Sequence, residues 1–121
     1  GLTESLSHEV KPFGINVTLV LPGYFRTNFL SEGSIVKPKT EIDAYQNVRA
    51  VQQNHLEQIN TNQPGDPEKA AAVLIAVAVQ ADPALHLFLG EDAYQLAKDK
   101  IELVQNDLAT FESLATRTSF E

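Results

Sequence analysis

Apolar residues recur along this chain with two different periods, and the switches between them mark out the elements. Leu2, Leu6 and Val10 fall on one helical stripe. Lys11-Pro12-Phe13-Gly14 stops that helix, because proline cannot continue the hydrogen-bond ladder and glycine accepts a left-handed exit. Residues 15–21, Ile-Asn-Val-Thr-Leu-Val-Leu, are β-branched and continuously apolar in their second half. That pattern predicts a parallel strand covered on both faces. Pro22-Gly23 ends it. Residues 24–39 keep no period and hold Gly33 and Pro38, so a loop of about sixteen residues is expected, at the long limit for a compact domain. From about residue 41 to 59, Tyr45, Val48, Val51 or Gln52, His55 and Ile59 return to helical spacing.

The second half repeats the alternation. Asp66 is a good N-cap, Pro67 suits the first helical position and Glu68 complements the helix dipole. Residues 70–81 are almost wholly apolar, and a helix apolar all round is expected to be buried on most sides. Asp82-Pro83 breaks it. Residues 85–89, Leu-His-Leu-Phe-Leu, read as a second buried strand closed by Gly90. Asp92 is expected to cap a last helix, on which Tyr94, Ala97, Ile101, Val104, Leu108, Phe111 and Ala115 form a heptad-like seam. Two strands joined by a long helical crossover imply parallel pairing and a right-handed connection. Two strands do not make a stable sheet alone, so the rest of the sheet is expected before Gly1.

Composition narrows the function classes. The 121 residues make one domain at most, and 43% hydrophobic content is too high for a disordered segment. Sixteen acids against nine bases give a net charge of −7, which opposes nucleic acid and anionic membranes as partners. No apolar run is long enough to span a bilayer, and no basic stretch followed by a hydrophobic one opens the chain. Cysteine is absent, which removes disulfides and thiolate metal sites. A cytoplasmic location is expected, and no metal site. Methionine is absent too, and Gly1 precedes residues that already read as helix interior, so the chain is expected to be a fragment.

The chemistry concentrates at the carboxyl end of the first strand. In open α/β sheets ligands bind outside the carboxyl ends of the strands. There Gly23 lets backbone approach a ligand closely, and Thr27 offers a hydroxyl. A plain turn followed by a helix-starting threonine explains the same residues. Residues 2–6 and 13–17 followed by Pro22-Gly23-Tyr24-Phe25-Arg26-Thr27 resemble the short-chain dehydrogenases. In that family a helix bearing Tyr-x-x-x-Lys leads into a strand ending Pro-Gly-x-x-x-Thr. Residues 65–71 and 87–93 resemble the crossover helix and final strand of one bacterial-type branch, so the likeness extends to about Asp92.

This resemblance implies an α/β fold: a C-terminal fragment of a doubly wound parallel (Rossmann) sheet, with two parallel strands plus helices. Residues 1–91 would hold the last two strands, crossover and substrate lid, and residues 92–115 the C-terminal amphipathic helix. It implies an NAD- or NADP-dependent oxidoreductase interconverting an alcohol and a carbonyl, working as a homo-oligomer. Pro22, Gly23, Tyr24 and Phe25 would bring backbone against the nicotinamide and its carboxamide, and Thr27 would hydrogen-bond the carboxamide or a phosphate oxygen. Residues 28–39 with the following helix would be the lid. The family's catalytic Tyr and Lys would precede Gly1, so the resemblance assigns no catalytic residue to this chain, which is expected to be inactive alone. A nucleotide-binding regulator of the same fold, or a helical interaction module built on the final seam, are the alternatives.

Other polar residues invite plainer explanations. His8, His55 and His86 lack metal-ligand spacing and are expected in surface or strand-packing roles. Asn16-Val17-Thr18 matches a glycosylation sequon but lies in a strand expected to be buried. Glu91-Asp92 reads as helix capping rather than an acid/base pair. Arg26 suits either a phosphate or carboxylate ligand, or a loop-anchoring salt bridge.

Overall fold

The computed structural model describes residues 1–31, 33–36 and 38–120. Helix α1 spans Leu2–Val10 and gives way to a 3₁₀ turn at Lys11–Phe13, where Gly14 takes the left-handed conformation at φ 71°. Strand β1 is Leu19–Pro22, helix α2 Gln46–Asn54, helix α3 Pro67–Ala78, strand β2 His86–Leu89 and helix α4 Glu91–Ala115. Among the described residues no helix is long and apolar enough to cross a membrane.

The strands pair in parallel, Leu19 opposite His86 and Pro22 opposite Leu89, as a sheet joined through a helical crossover requires. They are shorter than the apolar runs suggest. Asn16 donates through Nδ2 to the Ala81 carbonyl at 3.2 Å, and the Thr18 hydroxyl donates to the Ala84 carbonyl at 2.9 Å. Side chains thus tie residues 16–18 to the turn before β2, and the ladder starts only when Leu19 N–H donates to Leu85 C=O. At the other end Gly23 N–H donates to Leu89 C=O at 2.8 Å. Odd-numbered residues of β1 therefore face β2. The backbone groups of Val20 point to the opposite edge, and those of His86 and Phe88 to the far edge of β2. Among the described residues both edges of the sheet are open.

The expected burial is not found. Among apolar residues only Leu30, Leu89 and Ala93 are buried, and α3 buries none of its residues despite being apolar all round. The chain exposes 10228 Å² for 13.3 kDa, where a folded monomer of that mass exposes about 6,500 Å². These faces have the composition of a core without its cover, as befits part of a larger layered α/β fold. Helix α4 runs 25 residues, with Tyr94, Ile101, Val104, Leu108 and Phe111 of its seam all exposed. Helix α1 is held against β2 by Glu4 and His86, 3.0 Å apart, which gives His86 a surface role.

Other boundaries shift for local reasons. The helix expected over residues 41–59 is three pieces: a 3₁₀ turn at Asp43–Tyr45, α2, and a π-helical turn at His55–Ile59. Thr61, at φ 68°, turns the chain after it. Helix α3 starts as expected, with Asp66 accepting from Glu68 N–H at 2.9 Å and Lys69 N–H at 3.4 Å, but stops at Ala78. The loop over residues 24–39 contains a 3₁₀ turn at Asn28–Leu30, and its Glu32 and Lys37 lie outside the described residues.

Candidate functional site

Strand β1 ends at Pro22, and the next five residues form the carboxyl edge that the sequence singles out. Gly23 is needed there for a reason within the protein itself. A Cβ on Gly23 would overlap the carboxylate of Asp92, which lies directly against it. Asp92 does not cap α4 with its side chain. The N-cap position is Gly90 at φ 102°, and Asp92 sits in the first helical turn. Its carboxylate instead reaches across to accept from Tyr24 N–H at 2.6 Å. A Cβ on Gly90 would come within 2.5 Å of the same carboxylate. Two glycines therefore clear the space that one carboxylate fills, at a helix N-terminus whose dipole favours negative charge.

Beyond Tyr24 the backbone makes one more parallel bridge, between Phe25 and Gly65. Gly65 N–H donates to Tyr24 C=O and Arg26 N–H donates to Gly65 C=O, both at 2.9 Å. Gly65 admits this approach because a Cβ there would lie 2.6 Å from Phe25 Cδ1 and 2.7 Å from Tyr24 O. Both main-chain groups of Tyr24 are thus committed within the protein. By the alternation of a parallel bridge, the N–H and C=O of Phe25 face the other way, and they make no hydrogen bond among the described residues.

The side chains along this edge have definite partners. Tyr24 Oη lies 2.8 Å from His55 Nε2, while His55 Nδ1 lies 2.8 Å from the Val51 carbonyl. A carbonyl only accepts, so Nδ1 carries the proton, and in the neutral ring Nε2 accepts from the tyrosine hydroxyl. His55 therefore ties the π-helical turn to the edge, a long-range contact that its helical spacing did not signal. Arg26 donates through Nη2 to the Gln63 carbonyl at 3.2 Å, so among the described residues it anchors the loop through a hydrogen bond rather than a salt bridge. Gln63 is 3% exposed, and its Oε1 has no hydrogen-bond partner among the described residues. Thr27 Oγ1 accepts from Phe29 N–H at 3.3 Å as the N-cap of the 3₁₀ turn, which leaves its own O–H available to donate.

Besides a hollow of about 390 Å³ lined by Arg26, Gln63, Gly65 and Lys69, two others lie near the edge. One, of about 500 Å³, lies between the loop and the π-helical turn and is lined by Leu30, Ile35, Gln53, Leu56, Glu57 and Asn60, among others. The second, of about 350 Å³, is almost wholly apolar and runs between Leu21, Pro22, Gly23 and the α4 residues Leu96, Ala97 and Ile101. Of the residues expected to contact a ligand, Pro22, Gly23, Tyr24, Phe25 and Thr27 lie together along this edge by chain continuity. Asp92 joins them from 68 positions away. The pairing of Gly23 with Gly90, each ending a strand, was the only trace of it in the sequence.

Comparison with known proteins adds the following. The chain is 38% identical to a short-chain dehydrogenase from Streptomyces avermitilis of known crystal structure. It superposes on that protein with a TM-score of 0.79, covering 98% of this chain and 42% of the other. It is 29% identical over 104 residues to the oxidoreductase BOA17 of Botryotinia fuckeliana (strain B05.10), a match covering 86% of this chain and 37% of the relative. No family model matches the chain. The chain thus spans less than half the length of either relative.

Proposed function

Because the chain belongs to the short-chain dehydrogenase/reductase family and has the form of a C-terminal part of its α/β sheet, we propose that the protein containing it is an NAD- or NADP-dependent oxidoreductase interconverting an alcohol and a carbonyl. The observation that carries this reading is the edge at residues 22–27. A nicotinamide carboxamide presents one acceptor oxygen and one donor amide side by side, and Phe25 offers an N–H beside a C=O that are both uncommitted among the described residues. Thr27 adds a hydroxyl donor a short way along, and Pro22, which has no N–H, brings an apolar surface to the same edge. When bound, the coenzyme supplies hydride chemistry at its nicotinamide ring. The residues of this chain bind and orient it. Tyr24 takes no direct part through its backbone, because both of its main-chain groups are already engaged.

The hollow between the loop and the π-helical turn is the place for the carbonyl or alcohol substrate, with residues 28–39 and α2 as its lid. The Tyr24–His55 bond couples that lid to the coenzyme edge, so an ordered lid and an ordered edge stabilise one another. The proton-transferring Tyr and its Lys belong to the part of the fold that precedes α1, and this chain alone is inactive on this reading. The exposed seam of α4 supports self-association of the whole protein, and its location is cytoplasmic. The test is titration of the full-length protein with NADH and NADPH by fluorescence, followed by coenzyme oxidation with a panel of carbonyl compounds. Absence of dinucleotide binding at millimolar coenzyme refutes the reading.

A further inference from the structure

We infer that Asp92 is a positioning residue for the coenzyme edge, a role that rests on the function proposed above. Three observations converge on it. Its carboxylate accepts from Tyr24 N–H at 2.6 Å, a short hydrogen bond to a carboxylate acceptor. Gly23 and Gly90 both lack the side chain that would displace it. The helix that carries it begins directly after β2, with its first turn pointing at the end of β1.

The consequence for binding is geometric. Tyr24 follows the last ladder bond, Gly23 N–H to Leu89 C=O, and precedes the bridge between Phe25 and Gly65. Without Asp92 the peptide joining Gly23 to Tyr24 loses its anchor toward α4, and the next peptide, which presents Phe25 N–H, is held by the Gly65 bond to Tyr24 C=O alone. With Asp92 in place, Tyr24 N–H is held toward α4 and its C=O toward Gly65, which fixes the plane that presents Phe25 N–H. Asp92 touches neither coenzyme nor substrate on this account. It acts through the backbone, and a neutral acceptor of the same shape can replace it.

The test uses full-length protein with Asp92→Ala and Asp92→Asn, measuring coenzyme Kd, coenzyme KM and kcat at saturating coenzyme. Asp92→Ala is expected to raise Kd and KM about ten-fold, the effect of losing one charge-assisted hydrogen bond, while kcat stays within about two-fold because the reacting groups are untouched. Asp92→Asn, whose amide oxygen can still accept from Tyr24 N–H, is expected to retain coenzyme affinity within about three-fold. A purely structural role would lower the melting temperature of both variants and leave Kd unmoved in the folded protein, which overturns the inference. Equal weakening by Asn and Ala overturns it too, since charge rather than positioning would then be at work. Should Asp92→Ala not fold, Asp92→Glu replaces it. Its extra methylene displaces the carboxylate from the space that Gly23 and Gly90 leave for it, so a raised KM at unchanged kcat supports the role and an unchanged KM overturns it. Wild-type protein that binds no dinucleotide refutes the proposed function itself, whereas wild type that binds and variants that bind equally well refute only the role of Asp92.

Discussion

Gly65→Ala is the sharpest perturbation of the ligand edge, because the substituted residue lies outside it. The φ of Gly65 is not positive, so alanine is conformationally acceptable and any cost comes from contact. The added Cβ would meet Phe25 Cδ1 at 2.6 Å, Phe25 Cγ at 2.8 Å and Tyr24 O at 2.7 Å. The ring can rotate away. The carbonyl cannot, because it accepts from Gly65 N–H itself and the peptide before it is held by Asp92. Relief must therefore stretch the bridge and its two 2.9 Å bonds. Two neutral hydrogen bonds contribute about 1 kcal/mol each. Overpacking adds about 1–3 kcal/mol, and the lower entropy of the unfolded alanine chain returns about 0.4–1 kcal/mol. The net expectation is a destabilisation of roughly 2–4 kcal/mol, read from urea denaturation of the full-length protein. Adding Phe25→Ala should recover only the part due to the ring, leaving the carbonyl contact in force. An unchanged midpoint for Gly65→Ala would refute the reasoning, and so would full recovery by Phe25→Ala.

Three further outcomes are expected. Thr27→Ala should weaken nicotinamide coenzyme binding by about 0.5–3 kcal/mol and Thr27→Ser by less; calorimetry on the full-length protein showing no change for alanine would remove Thr27 from the site. Tyr24→Phe should cost about 0.5–1.5 kcal/mol and speed amide exchange in the turn His55–Ile59, whereas unaltered exchange there would mean the Tyr24–His55 bond does not hold the lid. The isolated 121-residue chain should self-associate or fold only partly, and should neither bind NAD(P)H nor turn over an alcohol, because its sheet edges and α3 are uncovered. Light scattering combined with fluorescence titration checks both, and a monodisperse, cooperatively melting monomer that binds dinucleotide would contradict this.

Local chemistry was legible in the sequence where a single residue dictates backbone conformation. The Gly14 exit, the Asp66 cap with Pro67 behind it, and the parallel pairing implied by a helical crossover all follow from such rules. Strand length was not legible, because Asn16 and Thr18 satisfy turn carbonyls instead of joining a ladder, and composition does not separate those fates. Burial was misread for an instructive reason. Apolar periodicity reports what a helix is built to contact, and α3 has the right surface for partners that these 121 residues do not supply. Asp92 was misassigned because a carboxylate just after a glycine satisfies the rules for a cap, and its actual partner lies across the fold. The same holds for His55, whose bond to Tyr24 crosses 31 positions.

The bridge between Phe25 and Gly65 has an evolutionary consequence. Arg26 N–H meets Gly65 C=O, and the Arg26 guanidinium meets Gln63 C=O, so the intervening segment leaves the sheet and returns to it at one place. A segment with its two feet clamped is a self-contained insertion. Lengthening it adds closure entropy only logarithmically, about 0.6 kcal/mol per doubling, and the coenzyme edge does not have to move to accommodate the change. On the proposed function, residues 28–62 can then be rewritten to fit a new substrate while the backbone and Thr27 hydroxyl assigned to the coenzyme stay as they are. Chemistry and selectivity would diversify at separate rates within one chain.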